Sequence, residues 1–352
     1  MAYTTIAKPS VHFDCPTWTG SSSTTTISGM GFKPDSIWIK RYDGSGHPLL
    51  NNSSEGTGQN WIPSGNNTYN TDTLVASYTS DGFTLTGGGA DVNENGEKHV
   101  AACWKANGGT TSSNTSGSIT STVQANTTAG VSVVQYTGTG ATGTIGHGLG
   151  AVPKLIIAKS STVADRGVTY IGDLGHYSDS EDDLIQFAAN VGFQDDAGGW
   201  NDTKPTSTVF TVGNKAHHNT SGAASIAYCF AEIKGFSKFG IYAGSGNVKG
   251  APVYCGFRPK WLMIKKYESA ENWAAKTTVV DSGQVAGSSE MKRTLKFDDN
   301  SSSTNCTITA TSWGFRASTT DGKANSENAE YLYMAFAEMP VVGTNGTVGL
   351  AI

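Results

Sequence analysis

Apolar positions along this chain fall in short runs, and one such run occurs three times. Each copy is entered through a proline and closed by a lysine. The copies are Gly31-Phe32-Lys33-Pro34-Asp35-Ser36-Ile37-Trp38-Ile39-Lys40, Gly150-Ala151-Val152-Pro153-Lys154-Leu155-Ile156-Ile157-Ala158-Lys159 and Gly256-Phe257-Arg258-Pro259-Lys260-Trp261-Leu262-Met263-Ile264-Lys265. In each, the closing lysine lies six residues after the proline. The runs are continuous and too short for an ordinary helix, so they predict strands covered on both faces.

Three further markers keep their order around this strand. Upstream stands an aromatic-small-Gly signal: Trp18-Thr19-Gly20, Tyr136-Thr137-Gly138 and Tyr242-Ala243-Gly244. Its Gly precedes the proline by 14, 15 and 15 residues. Downstream, a second apolar strand ends in an aromatic residue at Trp104, Phe230 and Phe336. The residue before that aromatic is Cys103, Cys229 or Ala335, at 69, 76 and 76 residues from the proline. Between them lies a Phe strand, with Phe83, Phe210 and Phe315 placed 20, 19 and 20 residues before the Cys/Ala position. Four markers in constant order define an internal repeat.

The copies cover 10–108, 129–234 and 235–339, after an N-terminal segment 1–9 and before a Gly-rich tail 340–352. The Ser/Thr-rich stretch 109–128 reads as a linker or long surface loop. Residues 180–191 could pass for a capped helix. Their counterpart Leu295–Asn300 has no helical face, so both read as strands. The fold class expected is all-β, with little helix: three tandem β-sandwich, jelly-roll-like repeats. One larger sandwich with internal pseudo-symmetry is the alternative.

Composition agrees. Charged residues are 15% against a usual ~25%, and Gly is 44 of 352. The net charge of −5 and the lack of a basic stripe give no reason to expect nucleic acid. The first nine residues lack the pattern of a signal peptide, and no apolar run approaches a membrane span. Five widely spaced cysteines suit neither a disulfide framework nor a zinc site. They read as small buried residues in a chain folded in a reducing cytosol.

The candidate chemistry is sparse. Gly138–Gly143 matches G-x-G-x-x-G but is followed by glycines and a proline, so it reads as a hairpin turn. Asp91-Val92-Asn93-Glu94-Asn95-Gly96 opens like a calcium loop, but the twelfth position is Ala102, not Glu. This stretch and its equivalents at His218–Gly222 and Asn325–Asn328 read as turns. His217-His218 lacks helical ligand spacing, and Glu181-Asp182-Asp183 reads as a solvated loop. No catalytic residue, metal site or cofactor is expected. Trp61, Trp200 and Trp273 lie outside the repeated strands, beside Asn60, Asn201 and Asn272. An indole next to an amide could stack on a sugar, which makes these three the candidate glycan-binding residues. The competing reading has each Trp capping its own sandwich.

The chain resembles a family of structural proteins of marine and cyanobacterial bacteriophages, tail-fibre-like in kind. The resemblance is carried by Met1–Ile6, the Gly-Phe-x-Pro strands, Asp81–Leu85, Asn114–Thr122 and Gly146–Gly150. Tyr228–Glu232 and Tyr333–Glu338 complete it. It implies a non-enzymatic virion protein, assembled in the host cytoplasm and forming a homotrimer. That protein would be a tail-fibre or receptor-binding component contacting host-surface glycan. The alternative is a head-decoration or tail-scaffold protein that binds other virion proteins only. No nucleic acid and no membrane insertion are expected.

Overall fold

The computed structural model describes residues 4–65, 67–172, 183–280, 289–301 and 304–340. Copy 1 holds β1 (Phe13–Asp14), β2 (Thr17–Thr19), β3 (Thr25–Ile27), β4 (Ser36–Arg41), β5 (Leu49–Asn52), β6 (Asn60–Trp61), β7 (Val75–Thr79), β8 (Gly82–Leu85), α1 (Ala90–Asn93) and β9 (Lys98–Trp104). Then come β10 (Ser112–Asn114) and β11 (Ser121–Asn126). Copy 2 holds β12 (Val131–Thr137), β13 (Gly143–Gly146), β14 (Leu155–Ser160), β15 (Val168–Ile171), β16 (Asp183–Gln186), β17 (Gln194–Asp195), α2 (Ala197–Trp200), β18 (Val209–Val212), α3 (Ala216–Asn219) and β19 (Ala224–Phe230). Copy 3 holds β20 (Ser237–Ala243), β21 (Pro252–Tyr254), β22 (Phe257–Lys266), β23 (Ala274–Thr277), β24 (Glu290–Lys296), β25 (Thr304–Thr311), β26 (Gly314–Ala317) and β27 (Glu330–Pro340). The described chain is nearly all β, and its α-helices are single turns.

The strand order recurs. The larger sheets run β1-β9-β4-β5-β6, with β2 also on β9, then β10-β11-β12-β19-β14-β15-β16-β17, then β20-β27-β22-β23-β24-β25-β26-β21. Smaller sheets β3-β8-β7 and β13-β18 face the first two; in copy 3 the long sheet curls until β25, β26 and β21 take that place. Register recurs too. Lys40 lies opposite Val100, Lys159 opposite Ile226 and Lys265 opposite Leu332.

Why the proline strands are apolar throughout follows from where each face goes. Ile37 and Ile39 face copy 1's own cluster, as Ile156 and Ala158 do in copy 2 and Leu262 and Ile264 in copy 3. The alternate residues, Trp38, Ile157 and Met263, enter a fourth cluster that draws on all three copies. The closing strands divide the same way, with Trp104, Phe230 and Phe336 in the shared cluster. These three rings meet pairwise, with centroids 5.7 Å (Trp104–Phe230), 5.4 Å (Trp104–Phe336) and 5.9 Å (Phe230–Phe336) apart.

Around this triangle the copies close head to tail. Tyr69 N donates to Ser161 O (3.0 Å) and Phe193 N to Tyr267 O (2.9 Å). Arg293 Nη1 donates to Tyr42 O (2.6 Å). The three acceptors each lie two residues past the closing lysine of the next copy.

The stretch 109–128, expected to be a linker, is instead part of a sheet: β10 pairs with β11, and β11 pairs along β12 from Ser121↔Tyr136 to Asn126↔Val131. Thr and Val favour strands, and Val123 is buried, but the abundance of Ser and Thr hid the alternation. Leu184 and Ile185 lie in β16, a strand as expected. The tail beyond Pro340 lies outside the described residues.

Candidate functional site

The aromatic-small-Gly signal and the turn before the closing strand form one device in each copy. Asn93, Asn219 and Asn325 are buried at the end of that turn. Their Oδ1 accepts from Ser21 N (3.2 Å), Thr139 N (2.9 Å) and Ser245 N (2.8 Å). Their Nδ2 donates to Ser23 O and Thr86 O, to Ala141 O and Gly213 O, and to Asn247 O and Thr319 O, at 2.5–2.9 Å. The aromatic of the signal donates to the carbonyl just before the Asn. Trp18 Nε1 reaches Val92 O (3.0 Å), Tyr136 Oη reaches His218 O (2.8 Å) and Tyr242 Oη reaches Ala324 O (2.7 Å). The Gly of the signal lets the backbone of the turn approach. A Cβ there would stand 2.1, 2.3 or 2.1 Å from Glu94 O, Thr220 O or Ser326 O.

Asn93, Asn219 and Asn325 had no expected role beyond the turn, although their place is the same in all three copies. The segment joins strands that do not pair with each other rather than closing a hairpin; in copies 1 and 2 these lie in different sheets, and the segment winds into a helical turn. The calcium-like stretch is used up in this way. Asn93 is the latch, and Asp91 Oδ1 accepts from His47 N at 2.7 Å. Among the described residues no group of three His, Cys, Asp or Glu could hold a metal ion.

The closing lysines are fully buried, on the face of the shared cluster. Lys40 Nζ donates to Gly46 O (2.5 Å) and, across to copy 3, to Asp299 O (2.7 Å). Lys159 Nζ donates to Ser160 O (2.6 Å) and Val163 O (2.5 Å), and Lys265 Nζ to Glu271 O. Each ammonium thus satisfies a carbonyl within the loop that follows its strand: Gly46, Val163 or Glu271. Burial lowers all three to about 8. Desolvation likewise raises Asp298, which faces Lys265, to about 6.

The two adjacent histidines divide. His218 turns inward onto Trp200, 5.0 Å between centroids, and its Nε2 donates to Gly199 O. Burial lowers it to about 3. His217 faces outward and pairs with Asp165.

The three candidate glycan-binding tryptophans are not open to a sugar. Trp61 is 0%, Trp200 1% and Trp273 3% exposed. Trp61 and Trp273 enter the shared cluster and flank Phe187 at 5.1 and 5.4 Å, whereas Trp200 lies in copy 2's own cluster. Stacking on a sugar needs an accessible ring face, so burial removes the basis of that assignment; the indoles fill space. Of the neighbouring amides, Asn60 and Asn272 are buried and Asn201 is exposed. Asn60 Nδ2 donates to Asp72 O (2.6 Å), and Asn201 ends α2 in a left-handed conformation. Glu181 and Asp182 lie outside the described residues. Two open concavities of the described surface lie along Asp14–Trp18 with Thr25–Met30 and along Glu232–Lys238 with Tyr254–Cys255.

The fold and these devices define an all-β protein whose repeated residues serve its architecture. A family profile described as a domain of unknown function, DUF7483, matches residues 8–340, and the chain belongs to that family. No curated protein and no solved structure matches it.

Proposed function

We propose that the chain is a non-enzymatic structural component of a bacteriophage virion, built as three β-sandwich units around one shared core, and that it binds other virion proteins. The observation that carries this reading is the use made of the repeated residues. Aromatic, Gly, Asn and Lys markers all turn inward and are spent on latches, so the triplication supports a rigid body rather than three copies of a chemical site. The phage assignment itself draws on the resemblance of the sequence.

A tail-fibre role in host adsorption belongs to the same class and needs a surface other than the three indoles. Quantitative mass spectrometry of purified particles tests both. Capsid or tail-tube stoichiometry supports the scaffold reading. Fibre stoichiometry, together with purified protein that blocks adsorption to host cells, supports the other. Absence of the protein from particles overturns both.

A further inference from the structure

Copy 2 has a cover with no counterpart on copies 1 and 3 among the described residues. β11 extends its larger sheet, and the loop ahead of β11 reaches the smaller one. Ile119 N donates to Thr144 O (2.9 Å), Thr144 N donates to Ser118 Oγ (2.9 Å), and Ser121 Oγ donates to Gly146 O (2.7 Å). Ile119 pairs in a parallel bridge with Ile145. Ile119 and Val123 are buried in copy 2's own cluster. One extended segment therefore seals the side of copy 2 where the edges of its two sheets would otherwise gape.

Among the described residues no strand covers the matching side of copy 1. Register makes the equivalence firm. Trp18 stands opposite His99 as Tyr136 stands opposite Ser225, and Ile27 opposite Phe83 as Ile145 opposite Phe210. Between them runs a groove of about 440 Å³ with Trp18, Ile27 and Met30 in its wall. β3 is the outer strand of its sheet, and Thr26 holds the place of Thr144, the residue that pairs with the cover in copy 2. Copy 3 has a smaller groove, about 300 Å³, and its edge is guarded. Pro252 takes the place of Thr144 and has no N–H to give, and Glu232 Oε2 accepts from Phe239 N (3.4 Å).

We propose that the groove of copy 1 is a docking site for an extended polypeptide segment of a partner protein, added as a strand along β2 with its leading end reaching over to β3, as β11 lies along β12 and reaches β13. The cover of copy 2 states the chemistry of the occupant. It is uncharged and rich in Ser and Thr, with one β-branched aliphatic residue seated over Ile27 as Ile119 is over Ile145. The main-chain pairing supplies affinity and the aliphatic anchor supplies selectivity. Asp14, the acid in the wall, is already paired with Lys260, so the groove offers no unmatched charge to an ionic ligand.

The test uses the full chain and a fluorescein-labelled peptide of the sequence 109–128. Anisotropy should show saturable binding. Ile119→Asp in the peptide should weaken it at least about tenfold, since the buried aliphatic anchor contributes more than 1.4 kcal/mol. A photocrosslinker at peptide position 119 should label residues 17–30. Thr26→Pro, which removes the N–H at the place of Thr144, should weaken binding with the circular dichroism spectrum unchanged; if that variant unfolds, the crosslink map decides. No saturable binding at millimolar peptide overturns the proposal. So do crosslinks confined to β12 and β13, which report exchange with the chain's own cover, or to the copy 3 groove. Self-association of the chain that blocks the groove makes the occupant a second copy and overturns the partner assigned here.

Discussion

Trp104 and Phe336 close the first and the last of three sequence copies, and their ring centroids lie 5.4 Å apart. Phe230 completes the triangle, so the middle of the molecule is built from one aromatic residue per copy. Truncating either Trp104 or Phe336 to Ala should cost about 3–5 kcal/mol. The double variant should fall short of the sum by about 0.5–3 kcal/mol, because the two rings share one cavity. Urea denaturation of the four proteins measures both quantities.

The asparagine latch should matter equally in every copy. Asn93→Ala, Asn219→Ala and Asn325→Ala each strand backbone groups that no neighbour can reach. Each should lose roughly 2 kcal/mol or more. A shift of the denaturation midpoint without a change in slope is the expected sign. A silent variant in one copy would show that its turn is held some other way.

Glycine at the end of the first strand is required by space. In Gly138→Ala the new methyl would stand 2.3 Å from Thr220 O, and backbone must move. The expected loss is about 1–3 kcal/mol. The same substitution at Gly222, where nothing lies within 4 Å but φ is +73°, tests strain without collision.

The closing lysines predict a pH dependence of defined sign. Lys265 falls from 10.5 to about 8 on burial, so the folded chain releases this proton before the unfolded chain does. Below about pH 8 both states are charged, and the cost of burial is fully present. Between about 8 and 10.5 only the unfolded chain keeps the proton, and stability rises with pH. Buried thiols and phenols act in the opposite direction, so the comparison should be with Lys265→Met, which retains them. The stability of the native chain relative to this variant should rise by up to ~1.4 kcal/mol per pH unit within that window. A difference that stays flat between about pH 7.5 and about pH 10 would contradict it.

Much of this architecture was legible in the sequence because the same physical demand was made three times. The proline strands are apolar on both faces since one face meets the copy's own cluster and the other meets its neighbours, and the continuous runs announce that. The shared cluster itself was not legible: Trp38 and Ile39 look alike in sequence but point to different cores. The cover Ser121–Asn126 was hidden by its Ser and Thr content, because a strand sealing a sheet edge needs only two apolar anchors. The tryptophans misled for a related reason. A polar stretch suggests an exposed ring, but Trp61 sits on a strand whose other neighbours, Asn51 and Asn60, satisfy each other inside. Local polarity marks a surface only when the polar groups lack partners in the fold.

The central claim is that the three copies share one core and form a single cooperative unit. Site-specific fluorinated tryptophan at Trp18, Trp200 and Trp313 places one probe in each copy, and equilibrium unfolding followed by fluorine NMR reads all three. The account predicts three superimposable curves with one midpoint. Separate midpoints, with one copy still native while another has melted, would contradict it.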